Sequence, residues 1–379
     1  MKNKFITIAN QIGVEINGPN AWDIQIHNES LYSRLFRDGS LGAGESYMDG
    51  WWDCNDLVEL SFRVAKNNLL LESGLPLFVH TTRSFLLNLQ NKIRARIVGE
   101  CHYDLPIPLW EKMLGASMIY TNGIWQDTDD LDTAGFAKYD LVCRKLELKK
   151  GDTLLELGCG WGAFLKYAAT HYGCRCTGVT ISKEQAKYAS ELCQSLPVKI
   201  HHCDYRDRDV YNPDDIKYDA ITTLGMTEHV GRKNYRQCMQ IIYEQLRDCR
   251  LFLLESSGNS KESAPDMFIQ KYIFPYLDMP TVGSIDKYTR DFFVLEDMQT
   301  VSVDYAKTII AWSNNFKKYW SDFDLSENTF GGLSKNQFYR MWVYYLDCCA
   351  GVLKARTETQ AWQFLFSKGH LTNGYRSVR

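Results

Sequence analysis

A glycine-rich turn provides the clearest chemical signal in this sequence. The segment LLELGCGWGAF, residues 154–164, runs from apolar residues through Glu156 into a turn that contains Gly158, Gly160 and Gly162. Glycine takes positive φ freely and lets a ligand approach the backbone closely. A helix that begins after such a turn offers free N–H groups at the same place. The turn therefore predicts a ligand-binding site.

The spacing of these glycines distinguishes two classes of ligand. A dinucleotide-binding loop reads G-x-G-x-x-G, whereas residues 158–162 read G-x-G-x-G, with an acidic residue two positions before the first glycine. This variant resembles motif I of the Rossmann-like methyltransferases that bind S-adenosylmethionine. A glycine-rich turn alone is weak support, so the neighbouring strands must agree with it.

The ends of the next two predicted strands do agree. The segment GVTISKEQ, residues 178–185, has no acidic residue at the strand tip, where the ribose of NAD would need one. Each polar residue at these two strand ends, taken alone, could equally be a helix cap or an ion-pair partner. Their order along strand, turn and helix favours cofactor binding. The residues predicted to bind there are Thr180, Ile181, Ser182, Gln185, Asp204, Tyr205 and Arg206.

A second signal is a carboxylate that follows a buried strand. The four apolar residues 251–254 are typical of a buried parallel strand, and Glu255 comes next. Sheet enzymes of this kind carry their chemistry at the carboxyl ends of the strands. Two interpretations are open. Glu255 takes part in the chemistry, or it forms an ion pair with a lysine or arginine beyond the strand, because a buried carboxylate needs a partner.

Alternating strands and helices must position these residues. Strand-like segments that end in glycine or polar residues alternate with helical stretches at 152–160, 174–180, 198–204, 218–226 and 249–257. That alternation predicts parallel βαβ units in an α/β fold. Further along, the sequence predicts a strand at 292–303, helices near 304–320 and 336–356, and a last edge strand at 360–369.

Composition narrows the classes of function. The 379 residues are 45% hydrophobic and 23% charged, which is typical of a globular protein, and the net charge of −3 gives no reason to expect nucleic acid. Twelve cysteines, and a start without the apolar core of a signal peptide, predict a cytoplasmic protein. Cys174, Cys176 and the HHC at 201–203 lack the spacing of zinc ligands, so no metal site is predicted. We expect only peripheral membrane contact, because no apolar run approaches the roughly 20 residues of a membrane span.

The N-terminal part is predicted to be helical, with glycine turns. Residues 80–99 mix apolar side chains with Arg83, Lys92, Arg94 and Arg96. Such a basic amphipathic helix can lie on an anionic membrane surface. A linker helix between domains explains the pattern equally well.

Seven segments together resemble the cyclopropane fatty acid synthases, over nearly the whole chain. They are GESYMDGWW (44–52), IVGECHYDL (97–105), the glycine turn, GVTISKEQ, LGMTEHVGRKNY (224–235), QKYIFP (270–275) and DYAKTIIAW (304–312). The resemblance implies a Rossmann-like class I methyltransferase domain at 96–379, with a seven-stranded, mostly parallel sheet. It also implies a small helical N-terminal domain at 1–95 for lipid docking or dimerisation.

The family transfers a methyl group from S-adenosylmethionine to the cis double bond of a phospholipid acyl chain, and loss of a proton then closes a cyclopropane. For this chain the resemblance implies an unsaturated phospholipid as partner, no nucleic acid, and a homodimer at the inner face of the membrane. It adds Tyr120 and Thr121 to the predicted cofactor residues.

The predicted reaction pocket departs from the family pattern. In the family the base is a bound bicarbonate, held by a cysteine, a glutamate, a histidine and a tyrosine. Glu228 and Tyr305 match two of these, whereas Asn122 stands at the place of the cysteine and Glu255 at that of the histidine. An anion has little reason to enter a pocket that has gained a carboxylate. We therefore expect that bicarbonate is not required and that Glu255 supplies the carboxylate in its place.

Three alternatives to cyclopropane formation in phospholipid are open. The product could be a methylene or methyl branch, the substrate could be a soluble small molecule, or the protein could be a degenerate homologue that binds membrane without turnover. The intact glycine turn and Glu228 argue against the last of these.

Overall fold

The computed structural model describes residues 2–69, 90, 92, 105–323, 325 and 330–379. Its N-terminal elements are helical, as expected, with one short antiparallel ladder. Helix α2 bends at Gly39, where φ is 56°, at one of the glycines of this N-terminal part. These elements are α1 (Lys2–Gln11), β1 (Gln25–Ile26), α2 (Leu31–Met48), β2 (Trp52–Asp53) and α3 (Leu57–Lys66).

A seven-stranded sheet lies at the centre of the rest of the described chain. Its strands are β3 (Thr153–Leu157), β4 (Arg175–Thr180), β5 (Val198–His202), β6 (Tyr218–Leu224), β7 (Leu246–Asn259), β8 (Val294–Thr300) and β9 (Thr359–Ser367). The order is β5-β4-β3-β6-β7-β9-β8. The first five strands in this order are parallel, and β9 is antiparallel to both of its neighbours. The predicted α/β fold with a mostly parallel sheet is therefore confirmed.

Helices connect and flank these strands. They are α4 (Ile107–Leu114), α5 (Leu131–Lys145), α6 (Ala163–Tyr167), α7 (Lys183–Leu192), α8 (Arg208–Tyr211), α9 (Thr227–Val230), α10 (Tyr235–Gln245), α11 (Met267–Tyr272), α12 (Val282–Thr289), α13 (Ser302–Tyr319) and α14 (Lys335–Ala355). A π-helical turn, Ala168–Tyr172, continues α6, and a 3₁₀ turn, Trp320–Asp322, follows α13. In the part of the chain that the structure describes, no helix is long and apolar enough to cross a membrane.

Two hydrophobic clusters cover the two faces of the sheet. Leu155, Phe252 and Phe364 belong to one cluster, and the adjacent residues Leu253 and Leu365 belong to the other. Successive side chains of a strand point to opposite faces. The central strands are therefore buried on both sides, which explains why their sequences are continuous apolar runs rather than alternating ones.

The prediction that residues 360–369 form an edge strand is wrong. β9 lies between β7 and β8, and β8 is the edge strand. The residues of β9 from Ala361 to Ser367 are all buried, whereas β8 is largely exposed. An apolar run in the sequence indicates that a strand is buried, but it does not indicate which strands lie beside it. The insertion of the last strand between two earlier ones is therefore invisible in local sequence.

The N-terminal helices pack directly on the C-terminal helix α14. A Cβ atom placed on Gly351 would lie 2.3 Å from the carbonyl oxygen of Val58, so the two helix backbones approach closely. Leu57, Leu60 and Trp342 belong to one hydrophobic cluster that spans both ends of the chain. The predicted domain boundary at 95–96 lies outside the described residues, as does most of segment 80–99. Its described residue Lys92 forms an ion pair with Asp207.

Candidate active site

The glycine turn lies where the strand order reverses, between β3 and β6. Ligands of such sheets bind in the crevice at that point, beyond the carboxyl ends of the strands. The Gly158 and Cys159 N–H groups both donate to the Val179 carbonyl, at 2.8 and 2.9 Å, and so fix the turn to the end of β4. Gly160 has φ of 50°, and a Cβ atom there would meet nothing within 4 Å. A side chain at this position would therefore extend into open space.

A cavity beside the turn brings together most of the residues predicted to bind the cofactor. Two of the predicted residues do not line it. A Cβ atom on Gly162 would lie 2.7 Å from that of Ala189, so this glycine permits close packing of α6 on α7. Ser182 caps α7 by accepting from the Gln185 N–H at 3.2 Å. The predicted residues that line the cavity are Tyr120, Thr121, Glu156, Gly158, Gly160, Thr180, Ile181, Gln185, Asp204, Tyr205 and Arg206.

One wall of the cavity is an ion pair beside an aromatic ring. The Arg206 guanidinium donates to both carboxylate oxygens of Asp204, each at 2.7 Å, and lies 5.0 Å from the centre of the Tyr205 ring. The Arg206 guanidinium also donates to the Gln90 carbonyl at 3.2 Å. Such a bidentate pair fixes both side chains. The Asp204–Arg206 pair and the Tyr205 ring thus form a rigid wall with a flat aromatic surface, which suits a planar nucleobase.

Glu156 gives the cavity its chemical character. It is buried at the end of β3, and its Oε2 atom has no hydrogen-bond partner within the described residues. Burial raises the pKa of Glu156 to about 8, an effect that the nearby Lys138 opposes and Glu255 reinforces. A cation bound here would stabilise the ionised form. The open space at Gly160, the aromatic wall and this unpartnered acid fit S-adenosylmethionine, whose sulfonium and ammonium groups are cationic.

Glu228 lies at the start of α9, just beyond the carboxyl end of β6. Its Oε1 atom accepts from the Ser257 N–H at 2.6 Å, and the Glu228 carbonyl accepts from the Asp278 N–H at 2.9 Å. Its Oε2 atom is buried and has no partner in the described part of the chain. Burial raises the pKa of Glu228 to about 7. Glu228 is thus a buried acid whose pKa lies near neutral pH, and one of its oxygens has no hydrogen-bond partner among the described residues.

Glu255 forms the ion pair that the sequence analysis left open as an alternative. Its Oε1 atom lies 3.0 Å from Lys138 Nζ, and its Oε2 atom accepts from Gln363 Nε2 at 2.8 Å. The contact with Lys138 lacks the angles of a directed hydrogen bond, so charge attraction holds it. Lys138 also donates to Thr121 Oγ1 at 2.8 Å. Lys138 therefore connects the end of β7 to the cofactor cavity, which it also lines.

Sequence reasoning did not identify Lys138, Lys145 and Gln363 as site residues, although a signal was present. The buried face of α5 contains residues 131, 134, 138, 141, 142 and 145, spaced at helical intervals. Two of these buried positions hold lysine, and Gln363 similarly interrupts an apolar strand. A lysine in the apolar stripe of a helix requires a buried partner. That requirement predicts a polar network, but not its members.

Tyr305 lies on α13, and the segment that contains Asn122 is hydrogen-bonded to the same helix. Burial, together with nearby Tyr345, Glu228 and Glu255, raises the pKa of Tyr305 well above its usual value. The Tyr305 hydroxyl is therefore protonated and can donate. Asn122 is buried, and Gly123 beside it donates its N–H to Thr308 Oγ1 at 2.9 Å. That bond fixes segment 120–125 on the helix that carries Tyr305.

Solved structures share this fold. A cyclopropane synthase from Mycobacterium tuberculosis matches with a TM-score of 0.64 and 22% identity, over 72% of this chain and 98% of that chain. Coclaurine N-methyltransferase, solved with N-methylheliamine and SAH, matches with a TM-score of 0.69 and 20% identity, over 86% of this chain and 99% of that chain. These likenesses show the fold of the class I methyltransferases, and the cavity at the glycine turn fits S-adenosylmethionine.

Sequence relatives narrow this class to a family. Residues 90–364 match the family described as mycolic acid cyclopropane synthetase. Cyclopropane-fatty-acyl-phospholipid synthase of Escherichia coli is 40% identical over all of this chain and 97% of its own length. Sphingolipid C9-methyltransferase of Komagataella phaffii is 34% identical over 89% of this chain and 68% of its own length. The chain belongs to the mycolic acid cyclopropane synthetase family, as the sequence motifs indicated.

We predict that Gly160→Val abolishes cofactor binding while the protein still folds. Valine strains the positive φ, at a cost of about 1–3 kcal/mol, and its side chain extends into the open space at the turn. Calorimetry with S-adenosylmethionine measures the affinity, and thermal unfolding measures the fold. Gly151→Val is the matched control, because Gly151 also has positive φ and open space but precedes β3, at the opposite end of the strand. Normal affinity in folded Gly160→Val would contradict the assignment.

Proposed function

We propose that this protein transfers a methyl group from S-adenosylmethionine to the cis double bond of an unsaturated phospholipid acyl chain and forms a cyclopropane. The observation that carries the proposal is Glu228, a buried acid with a free oxygen and a pKa raised to about 7. Identity of 40% with cyclopropane-fatty-acyl-phospholipid synthase over the full chain supports the substrate class. An alkene needs no base to attack a methyl group, but ring closure afterwards requires one.

One set of residues binds and orients the cofactor, and another set acts on the acyl chain. The bound cofactor supplies the methyl group. Glu156 and the glycine turn hold and orient it, which brings the methyl group and the double bond into line. The acyl chain then carries a positive charge, which the carboxylates of Glu228 and Glu255 stabilise in a buried pocket. Glu228 Oε2 accepts a proton from the added methyl group, and the electrons of the broken C–H bond close the ring.

We predict that Glu228→Gln lowers kcat/KM by about 10²–10⁴-fold, with cofactor affinity retained. The glutamine oxygen can still accept from the Ser257 N–H, so the local fold is kept. In the wild type, a base must be ionised to act, so kcat/KM should rise with pH through about 7 and level off above it. Lipid methylation in phospholipid vesicles, followed by mass spectrometry, measures both quantities.

Glu296→Gln provides the matched control for this experiment. Glu296 is a half-buried glutamate on the edge strand β8, where its carboxylate accepts from Ser367 Oγ at 2.6 Å. This change should leave activity as in the wild type. Full activity of Glu228→Gln, or a rate that falls as pH rises through 7, would rule out Glu228 as the base.

A methyl-branched alkene is the second candidate product. Relatives named sphingolipid C9-methyltransferase support it, at 34% identity over 89% of this chain. It would form if the base removed a proton from a chain carbon instead of from the new methyl group. Both products add the mass of one CH₂ group to the lipid. Mild hydrogenation separates them, since an alkene takes up hydrogen under conditions that leave a cyclopropane intact.

We predict that bicarbonate is not required. The cation of the pocket, Lys138, is already paired with Glu255. Two unit charges about 4 Å apart repel by roughly 4 kcal/mol at an effective dielectric of 20, which corresponds to about three decades of affinity for an added anion. Methylation should therefore proceed equally in buffer stripped of carbon dioxide and in the same buffer with bicarbonate restored. Loss of turnover on stripping, and recovery on addition, would refute this.

We also propose a cytoplasmic, peripheral homodimer that docks on anionic membrane through residues 1–95 and segment 80–99. Arg83, Arg94 and Arg96 of that segment support docking, whereas Lys92 is paired with Asp207. At physiological ionic strength, screening limits the distance over which exposed charges interact to about 8 Å. Binding to anionic vesicles should therefore weaken as salt is added. Co-sedimentation with anionic and neutral vesicles measures this, and sedimentation equilibrium measures the oligomeric state. Salt-independent binding, or none, would leave these residues as ordinary surface charges.

A further inference from the structure

Within the described residues, each carboxylate oxygen of Glu255 lies beside one group that carries donors and no acceptor on the facing atom. An ammonium has three donors and no acceptor, and Lys138 Nζ lies 3.0 Å from Oε1. The amide nitrogen of Gln363 also only donates, and it lies 2.8 Å from Oε2. A proton placed on either oxygen would face a donor at hydrogen-bond distance. Oε2 thus accepts a hydrogen bond and Oε1 lies beside a positive charge, and both features favour the ionised carboxylate over the protonated acid.

A second lysine fixes which way the Gln363 amide points. Lys145 Nζ lies 2.8 Å from Gln363 Oε1 and 2.6 Å from Gln299 Oε1. Because the ammonium can only donate, it must face the amide oxygen, and the amide nitrogen must then face Glu255. Burial lowers the pKa of Lys145 to about 8, so the ammonium form still dominates at neutral pH. The orientation of Gln363 is thus set from the side away from Glu255.

The same argument extends to the cofactor cavity. Lys138 donates to Thr121 Oγ1 at 2.8 Å, so this hydroxyl acts as acceptor in that contact. Its own hydrogen must point elsewhere, and Thr121 lines the cavity. The hydroxyl is therefore arranged to donate to an acceptor in the cavity, such as a carboxylate. Three hydrogen bonds and one ion pair thus connect Lys145, Gln363, Glu255, Lys138 and Thr121, with Glu255 as the acceptor at the centre.

We propose that Lys138 and Gln363 are positioning residues that keep Glu255 permanently ionised, so that Glu228 receives the proton released by the reaction. Glu255 then acts as a fixed anion toward the cationic intermediate. This assignment rests on the proposed function. It replaces the expectation that Glu255 is itself the base.

The charged and titratable groups around the two acids agree with this division. Glu255 is close enough to raise the pKa of Glu156, Glu228, Tyr139 and Tyr305. Of these, Glu228 combines a pKa of about 7 with an oxygen that lacks a partner among the described residues. Tyr139 and Tyr305 have pKa values well above the usual value and remain neutral donors. Glu156 lines the cofactor cavity, where the nearby Lys138 opposes the rise of its pKa.

Carboxyl resonances test the proposal without any lipid. The protein is labelled with ¹³C at the glutamate side-chain carboxyl carbons, and the signals are assigned by their loss in Glu255→Gln and Glu228→Gln. Between about pH 5 and pH 9, a range above the ordinary glutamate pKa of about 4.3, the Glu228 signal should titrate and the Glu255 signal should not. A Glu255 signal that titrates in this range would overturn the proposal.

Two further variants test the positioning residues. Gln363→Leu removes the donor to Oε2, so the Glu255 signal should begin to titrate in the same pH range. Lys138→Met should have the same effect, and Gln363→Leu keeps the test valid if that variant does not fold. Gln299→Leu is the matched control, since Gln299 also accepts from Lys145 but does not contact Glu255. A Glu255 signal that stays unchanged in Gln363→Leu would show that Gln363 has no such role.

The pH–rate profile of Glu255→Gln gives an independent readout. If Glu255 supplies only charge, this variant should turn over about 10²-fold more slowly, and the midpoint of its profile should move to lower pH, because the Glu255 charge raises the pKa of Glu228. Complete loss of turnover at every pH, with cofactor affinity intact, would make Glu255 the base. If wild-type protein does not methylate lipid, the proposed function fails, while the carboxyl titration still decides the ionisation of Glu255.

Discussion

The buried ion pair between Lys138 and Glu255 is the interaction on which the rest of the site depends. It joins α5 to the carboxyl end of β7, and the hydrogen bonds of its two members extend to Thr121 and Gln363. Removing one partner of such a pair typically costs about 3–5 kcal/mol, because the other charge is left buried. The pair therefore links the cofactor cavity to β9, the last strand in sequence.

Two other buried acids lie near this pair and are left chemically available. Burial raises the pKa of Glu156 to about 8 and that of Glu228 to about 7. Each has an oxygen with no partner within the described residues. Glu156 lines the cavity that fits a cationic cofactor, and Glu228 lies close enough to Tyr305 to raise its pKa. A cationic ligand suits the first, and transfer of a proton suits the second.

The C-terminal elements complete the site, although the glycine turn lies far from them in sequence. Thr308 on α13 accepts from the Gly123 N–H and from Trp125 Nε1, which holds segment 120–125 in place. Gln363 on β9 reaches Glu255 across the antiparallel pair of β7 and β9, where the two residues are direct partners. If β9 lay at the sheet edge beyond β8, Gln363 would not pair with Glu255.

The sequence by itself determined the class of fold and one half of the site. Continuous apolar runs that end in glycine or polar residues specify parallel strands. The spacing of Gly158, Gly160 and Gly162 specifies a backbone turn, which is a local property of adjacent residues. The prediction that Glu228 and Tyr305 belong to the reaction pocket came from the motif segments that resemble the family. Only the tertiary structure decided the position of β9, the packing role of Gly162 and the partner of Glu255. Lys138 lies 117 residues before Glu255, and Gln363 lies 108 residues after it. A buried charge requires a partner, but which partner it finds depends on how strands and helices that are distant in sequence come together.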